Sequence, residues 1–146
     1  MLIARRDAVD GHWEDADLAA LLAGKRLAIA DPDRDLAGRY GIKALGKAGV
    51  AIDPMSKSIA VAESSAGVVT FLAENRADIG IVYATDARQS GFANARPLPD
   101  ESHPRIAYVV AAVDEPQANP DDFRAFLKSD KARAILLAAG LRAVGP

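Results

Sequence analysis

The residues able to do chemistry in this chain sit where apolar runs end. Residues 80–87 read GIVYATDA, so Tyr83, Thr85 and Asp86 follow directly on a buried-looking run. The same pattern recurs twice: LAIADP passes into DRDLAG, and IAVAE passes into SSAG. In an open α/β sheet, ligands bind beyond the carboxyl ends of the strands. Two helix N-termini meeting there would present unpaired N–H groups and positive dipole ends. That arrangement suits an anion without any lysine or arginine. The phenol of Tyr83 would add one donor. A plainer reading, in which Tyr83 caps the core and its hydroxyl meets water, stays open on pattern alone.

Other chemistries find little support. The only histidines, His12 and His103, lie far apart, and neither has a second ligand at metal spacing, so no metal site is expected. The HWED stretch at 12–15 reads as a solvated turn with Trp13 plugging a gap. Ser64 and Ser65 lack the glycine-flanked elbow of a hydrolase nucleophile, and no phosphate-cradling glycine motif occurs. With no cysteine, a disulfide, a thiolate metal site and a thiol nucleophile are excluded. No acid–base pair stands out, so an enzyme is not expected.

Bulk properties narrow the partners. Net charge is −2 with both signs mixed along 146 residues, unlike the concentrated basic face that nucleic acid requires. No apolar run reaches the roughly 18–20 residues of a membrane span, so no membrane insertion is expected. MLIARRDAVDG is not a signal peptide. The chain is therefore expected to be cytosolic, to have lost a leader, or to lack the N-terminal part of a larger protein.

The elements that must position these residues are legible as alternating patterns. Residues 25–32, 58–64, 78–85 and 105–113 are short, continuous apolar runs, as expected of strands covered on both faces. Helical patterns cover 36–49, with Leu36, Tyr40 and Ala44 on one side and Ile42 and Leu45 near it, and 66–77, with Val68, Val69, Leu72 and Ala73 on one face. A turn and short helix occupy 7–24, and a short strand lies around ARPL. Helices at 119–129, capped by Asn119, and at 129–140, stopped by Gly140, close the chain. This order predicts an α/β fold: a mainly parallel sheet flanked by helices, with appended C-terminal helices.

LAIADP…AGRYGIKAL, AES, GIVYATDA, DESHPRIAYVVAAV and FLKSDKARAILLAAGL resemble, in order and over nearly the whole chain, the molybdate-binding proteins of bacterial ABC transporters. The resemblance implies a periplasmic-binding-protein-like lobe. It implies molybdate or tungstate as ligand, no cofactor, a transporter permease as partner and a periplasmic location. In that family a tetrahedral oxyanion lies in an interlobe cleft, held by backbone N–H groups, hydroxyls and one tyrosine. The family's Pro-Ala-Gly alanine falls on Ala37, the valine of Glu-Asn/Asp-Val-Arg on Ser65, and the tyrosine of Gly-Ile-Val-Tyr on Tyr83.

Departures accompany these matches. Leu36 replaces the family's proline, DRD precedes it at 33–35, and Ser65 and Ala66 replace valine and arginine. The two oxyanion-binding serines of the family's first lobe have no counterpart. Residues 1–104 thus resemble a second lobe with its crossover strand. Residues 105–146 resemble the return crossover strand and the helices that pack on a first lobe. Losing two serine contributions and cleft closure removes roughly 3–6 kcal/mol, or about two to four orders of magnitude in affinity. The apolar faces carrying Phe123, Phe126, Leu127, Ile135, Leu136 and Leu137 would then be exposed and favour self-association. The alternative is an interaction or sensory module that kept the lobe fold without the transport role.

Overall fold

The computed structural model describes residues 1–11, 13, 15–111 and 120–142. The chain divides into two compact units, Met1–Arg105 and Ile106–Pro146. In the first, β1 (Leu2–Ala4) leads to α1 (Leu18–Leu22), β2 (Leu27–Ala30), α2 (Leu36–Lys47), β3 (Ile59–Ala62) and α3 (Ser65–Ala73). Then come β4 (Ile79–Ile81), α4 (Ala84–Gln89), β5 (Asn94–Arg96) and a 3-10 turn at Asp100–Ser102. The second unit contains α5 (Pro120–Leu127) and α6 (Asp130–Ala138).

The sheet runs β3-β2-β4-β1-β5. β2 pairs in parallel with β3 and β4, whereas β1 pairs antiparallel with β4 and β5. The sheet is thus mixed: its parallel half is the part built from strand–helix–strand units. β1 inserts between β4 and β5, an order no local pattern encodes.

The continuous apolar runs resolve into two faces. Leu2, Leu27, Ile29, Ile79 and Ile81 join Leu18 and Leu21 of α1 and Leu45 of α2 in one core cluster. Ile3, Ala28 and Ala30 join Val68 and Leu72 of α3 in the other. Alternate side chains of each strand leave opposite faces. A strand covered on both sides therefore needs apolar residues throughout. Trp13 is buried in the first cluster, the plug expected of it, while His12 and Glu14 lie outside the described residues. The amino group of Met1 donates to the Val82 carbonyl at 2.9 Å, and burial lowers its pKa to about 6.

α2 packs with a small face. Its buried residues are Ala37, Gly38, Gly41, Ala44 and Leu45, whereas Leu36, grouped by its spacing with Tyr40 and Ala44 on one side, is exposed. The reason is distance: a Cβ on Gly38 would lie 2.2 Å from the Ala30 carbonyl oxygen. A helix this close to a strand end seats small residues inward and turns the larger Leu36 out.

The strand expected over 105–113 is not formed over its described residues, 105–111, which have no regular structure and are exposed. An extended apolar segment becomes a strand only when a neighbour completes its hydrogen-bond ladder. Among the described residues beyond 105 there is no strand. α5 and α6 form as expected, α6 capped by the Ser129 hydroxyl, which accepts the Ala132 N–H at 3.2 Å. The Asn119 cap lies outside the described residues. Phe123, Phe126, Ile135, Leu136 and Leu137 are exposed.

Candidate functional site

Because β2, β3 and β4 run parallel, their carboxyl ends lie on one edge of the sheet. Beyond β2 the chain folds back on Asp31, whose Oδ1 accepts the Asp33 N–H at 2.9 Å and whose carbonyl accepts the Asp35 N–H at 2.8 Å. That turn delivers Asp35 to the N-cap of α2, where its Oδ1 accepts the Ala37 N–H at 2.8 Å. Beyond β3, Ser64 caps α3: its Oγ accepts the Gly67 N–H at 3.2 Å. Beyond β4, Tyr83 occupies the N-cap position of α4, so the strand expected over 78–85 ends at Ile81 and Ala84–Gln89 is helix.

These ends are tied together by side chains. The other oxygen of Asp35, Oδ2, accepts the Ser65 N–H at 3.2 Å. The buried Ser65 hydroxyl accepts the Tyr83 N–H at 3.0 Å and donates to Asp86 Oδ2 at 2.5 Å. Ala37, Ser65 and Tyr83, singled out from the sequence, therefore meet in one cluster. Tyr83 is half-buried against the second core cluster.

Two cluster members escaped sequence reading. Asp35 carries one trace, an acidic residue two positions before the first inward amide of a helix, the place of an N-cap. Asp86 is visible only as the acid after the GIVY run, because its partner Ser65 lies 21 positions away and no local pattern joins the two. Among the described residues neither carboxylate has a salt-bridge partner. The N-terminal ends of α2 and α3 supply the compensating positive potential.

Two surface hollows lie elsewhere. One of ≈ 350 Å³, lined by Arg5, Arg6, Asn75, Phe92 and Asn94, is at the opposite end of the strands. Another of ≈ 490 Å³ lies beside Lys43, Lys47 and His103. Neither gathers amide donors from two helices, so the strand-end cluster is the better candidate for an anion. Among the described residues no group of three or more His, Asp or Glu could hold a metal ion. No helix among them is long and apolar enough to cross a membrane.

The sequence profile of bacterial extracellular solute-binding proteins matches residues 1–142. The chain belongs to that family. Two relatives are molybdate-binding proteins ModA. That of Escherichia coli K12 is 38% identical over 118 residues, 80% of this chain and 46% of its own length. That of Haemophilus influenzae is 30% identical over 139 residues, 94% of this chain and 52% of its own length. The chain thus spans about half the length of the curated relatives it matches.

Solved structures share the fold. The Azotobacter vinelandii periplasmic molybdate-binding protein superposes with a TM-score of 0.73 at 23% identity, covering 99% of this chain and 64% of that one. A substrate binding domain described as that of a molybdenum ABC transporter from Clostridium difficile gives 0.74 at 22% identity, covering 99% and 62%. These likenesses establish the α/β fold with a mixed sheet.

Proposed function

We propose that this chain is the lobe of a solute-binding protein that receives a tetrahedral oxyanion, molybdate or tungstate, for an ABC transporter. It would act in the periplasm, delivering the ligand to a transporter permease and catalysing no reaction. One observation carries the reading: amides from two helices, Ala37 N–H and Ser65 N–H, converge on one anionic group at the carboxyl ends of parallel strands. The molybdate-binding relatives support the choice of ligand. Residues 1–104 serve as the second lobe, and residues 105–146 carry the segment that returns toward a first lobe.

Isothermal calorimetry tests this with molybdate, tungstate and sulfate on the wild type and Tyr83→Phe. Heat is expected with molybdate and tungstate, at micromolar affinity or weaker. Loss of one charge-assisted donor in Tyr83→Phe should weaken binding about 10- to 100-fold. No heat with any oxyanion at millimolar concentration, in the wild type and in folded Asp35 variants alike, would sink the proposal.

The chain is further expected to self-associate through α5 and α6. Phe123 is 58% exposed and Ile135 54%, within a larger exposed apolar set that includes Phe126, Leu136 and Leu137. Size-exclusion chromatography with light scattering should give a dimer mass at tens of micromolar. A monomer mass throughout would refute the association.

A further inference from the structure

The amides that converge at the strand ends are already engaged. Asp35 Oδ1 takes the Ala37 N–H and Oδ2 takes the Ser65 N–H, one oxygen to each helix. An ordinary N-cap satisfies the amides of its own helix. Here the second bond reaches α3, 30 positions on, although α3 has its own cap in Ser64. The two oxygens of the carboxylate thus hold the places that two oxygens of a tetrahedral anion would take. Asp86, held through the Ser65 hydroxyl, adds a second negative charge beside them.

Building on the function proposed above, we infer that Asp35 is an internal competitor for the oxyanion. Its carboxylate fills the anion position, and an incoming oxyanion gains the Ala37 and Ser65 amides only when Asp35 swings out. Asp35 is therefore an affinity- and specificity-determining residue. An anion that binds must replace a tethered carboxylate and tolerate the nearby charge of Asp86. Weakly held oxyanions are rejected, because they cannot displace a ligand whose effective concentration is fixed by its tether.

The test uses the full chain with sodium molybdate as probe, in Asp35→Ser and Asp35→Asn. Serine keeps the cap on Ala37 but is too short to span to Ser65. Asparagine keeps the shape without the charge, and covers the case in which the serine variant fails to fold. Calorimetric Kd at fixed pH and salt is read together with the 15N amide resonances of Ala37 and Ser65. Binding should tighten on the order of 10- to 100-fold, the release of a charge-assisted bond at each amide. Both resonances should move on titration, at lower molybdate in the variants than in the wild type.

Equal or weaker binding in the folded variants, with measurable wild-type binding, overturns the inference and leaves the oxyanion reading standing. Absence of binding in the wild type and in both folded variants removes that reading, and the inference falls with it.

Discussion

Gly38→Ala is expected to destabilise the first unit by about 3–5 kcal/mol, at the upper end of single substitutions. A Cβ there would lie 2.2 Å from the Ala30 carbonyl oxygen and 2.9 Å from both the Ala30 carbonyl carbon and the Pro32 nitrogen. All three are backbone atoms, so no side chain can rotate away. α2 would have to back off the end of β2, opening the core around Ala37 and Ala44. Against a typical total of about 5–15 kcal/mol, the loss should lower the melting temperature by ten degrees or more, roughly 4–8 °C per kcal/mol for a unit of this size. Thermal unfolding followed by circular dichroism reads it, and a melt within a few degrees of wild type would refute the steric argument. Gly46→Ala in the same helix is the control. A Cβ there meets nothing within 4 Å, so up to about 1 kcal/mol of helix propensity should be gained. The glycine thus does two things: it permits the close approach, and that approach places the Ala37 amide beside the start of α3.

Ser65→Ala should cost about 2–4 kcal/mol, far more than a lost surface hydroxyl. The side chain is buried, accepts the Tyr83 N–H and donates to the Asp86 carboxylate. Its removal strands a backbone donor, worth about 1–3 kcal/mol, and takes a bond from a charged group, worth about 1.5–3 kcal/mol. Asp86 is only half-buried and can recover part of this from water, so the sum stays below the two maxima. Urea denaturation measures the effect. In the double variant with Asp86→Ala the stranded carboxylate is gone, and the Ser65 contribution should shrink to that of the amide alone. A Ser65→Ala midpoint indistinguishable from wild type would show that water replaces the hydroxyl, and the cluster would not be the brace described here.

The two substitutions probe different levels of one construction. Gly38 acts through excluded volume and sets where the start of α2 lies. Ser65 acts through hydrogen bonds and ties the start of α3 to the end of β4. Both would disturb the arrangement of amides around Asp35, so oxyanion titrations on them are informative only after folding has been verified.

The local elements were legible along the chain. Continuous apolar runs marked β2, β3 and β4, helical spacing marked α2 and α3, and the first polar residues after each run marked the edge where Ala37, Ser65 and Tyr83 meet. These features depend on neighbours within a turn or two, which is the range over which propensity, periodicity and capping act. What required the tertiary structure was partnership at a distance. Only the fold decided that β1 pairs antiparallel between β4 and β5, that Leu36 faces solvent, and that residues 105–111 form no strand. It also decided that Asp35 and Asp86 close on Ser65 across 30 and 21 positions. A strand or a hydrogen-bonded cluster exists only when its partner arrives, and arrival is set by topology and close packing rather than by the residues alongside in sequence.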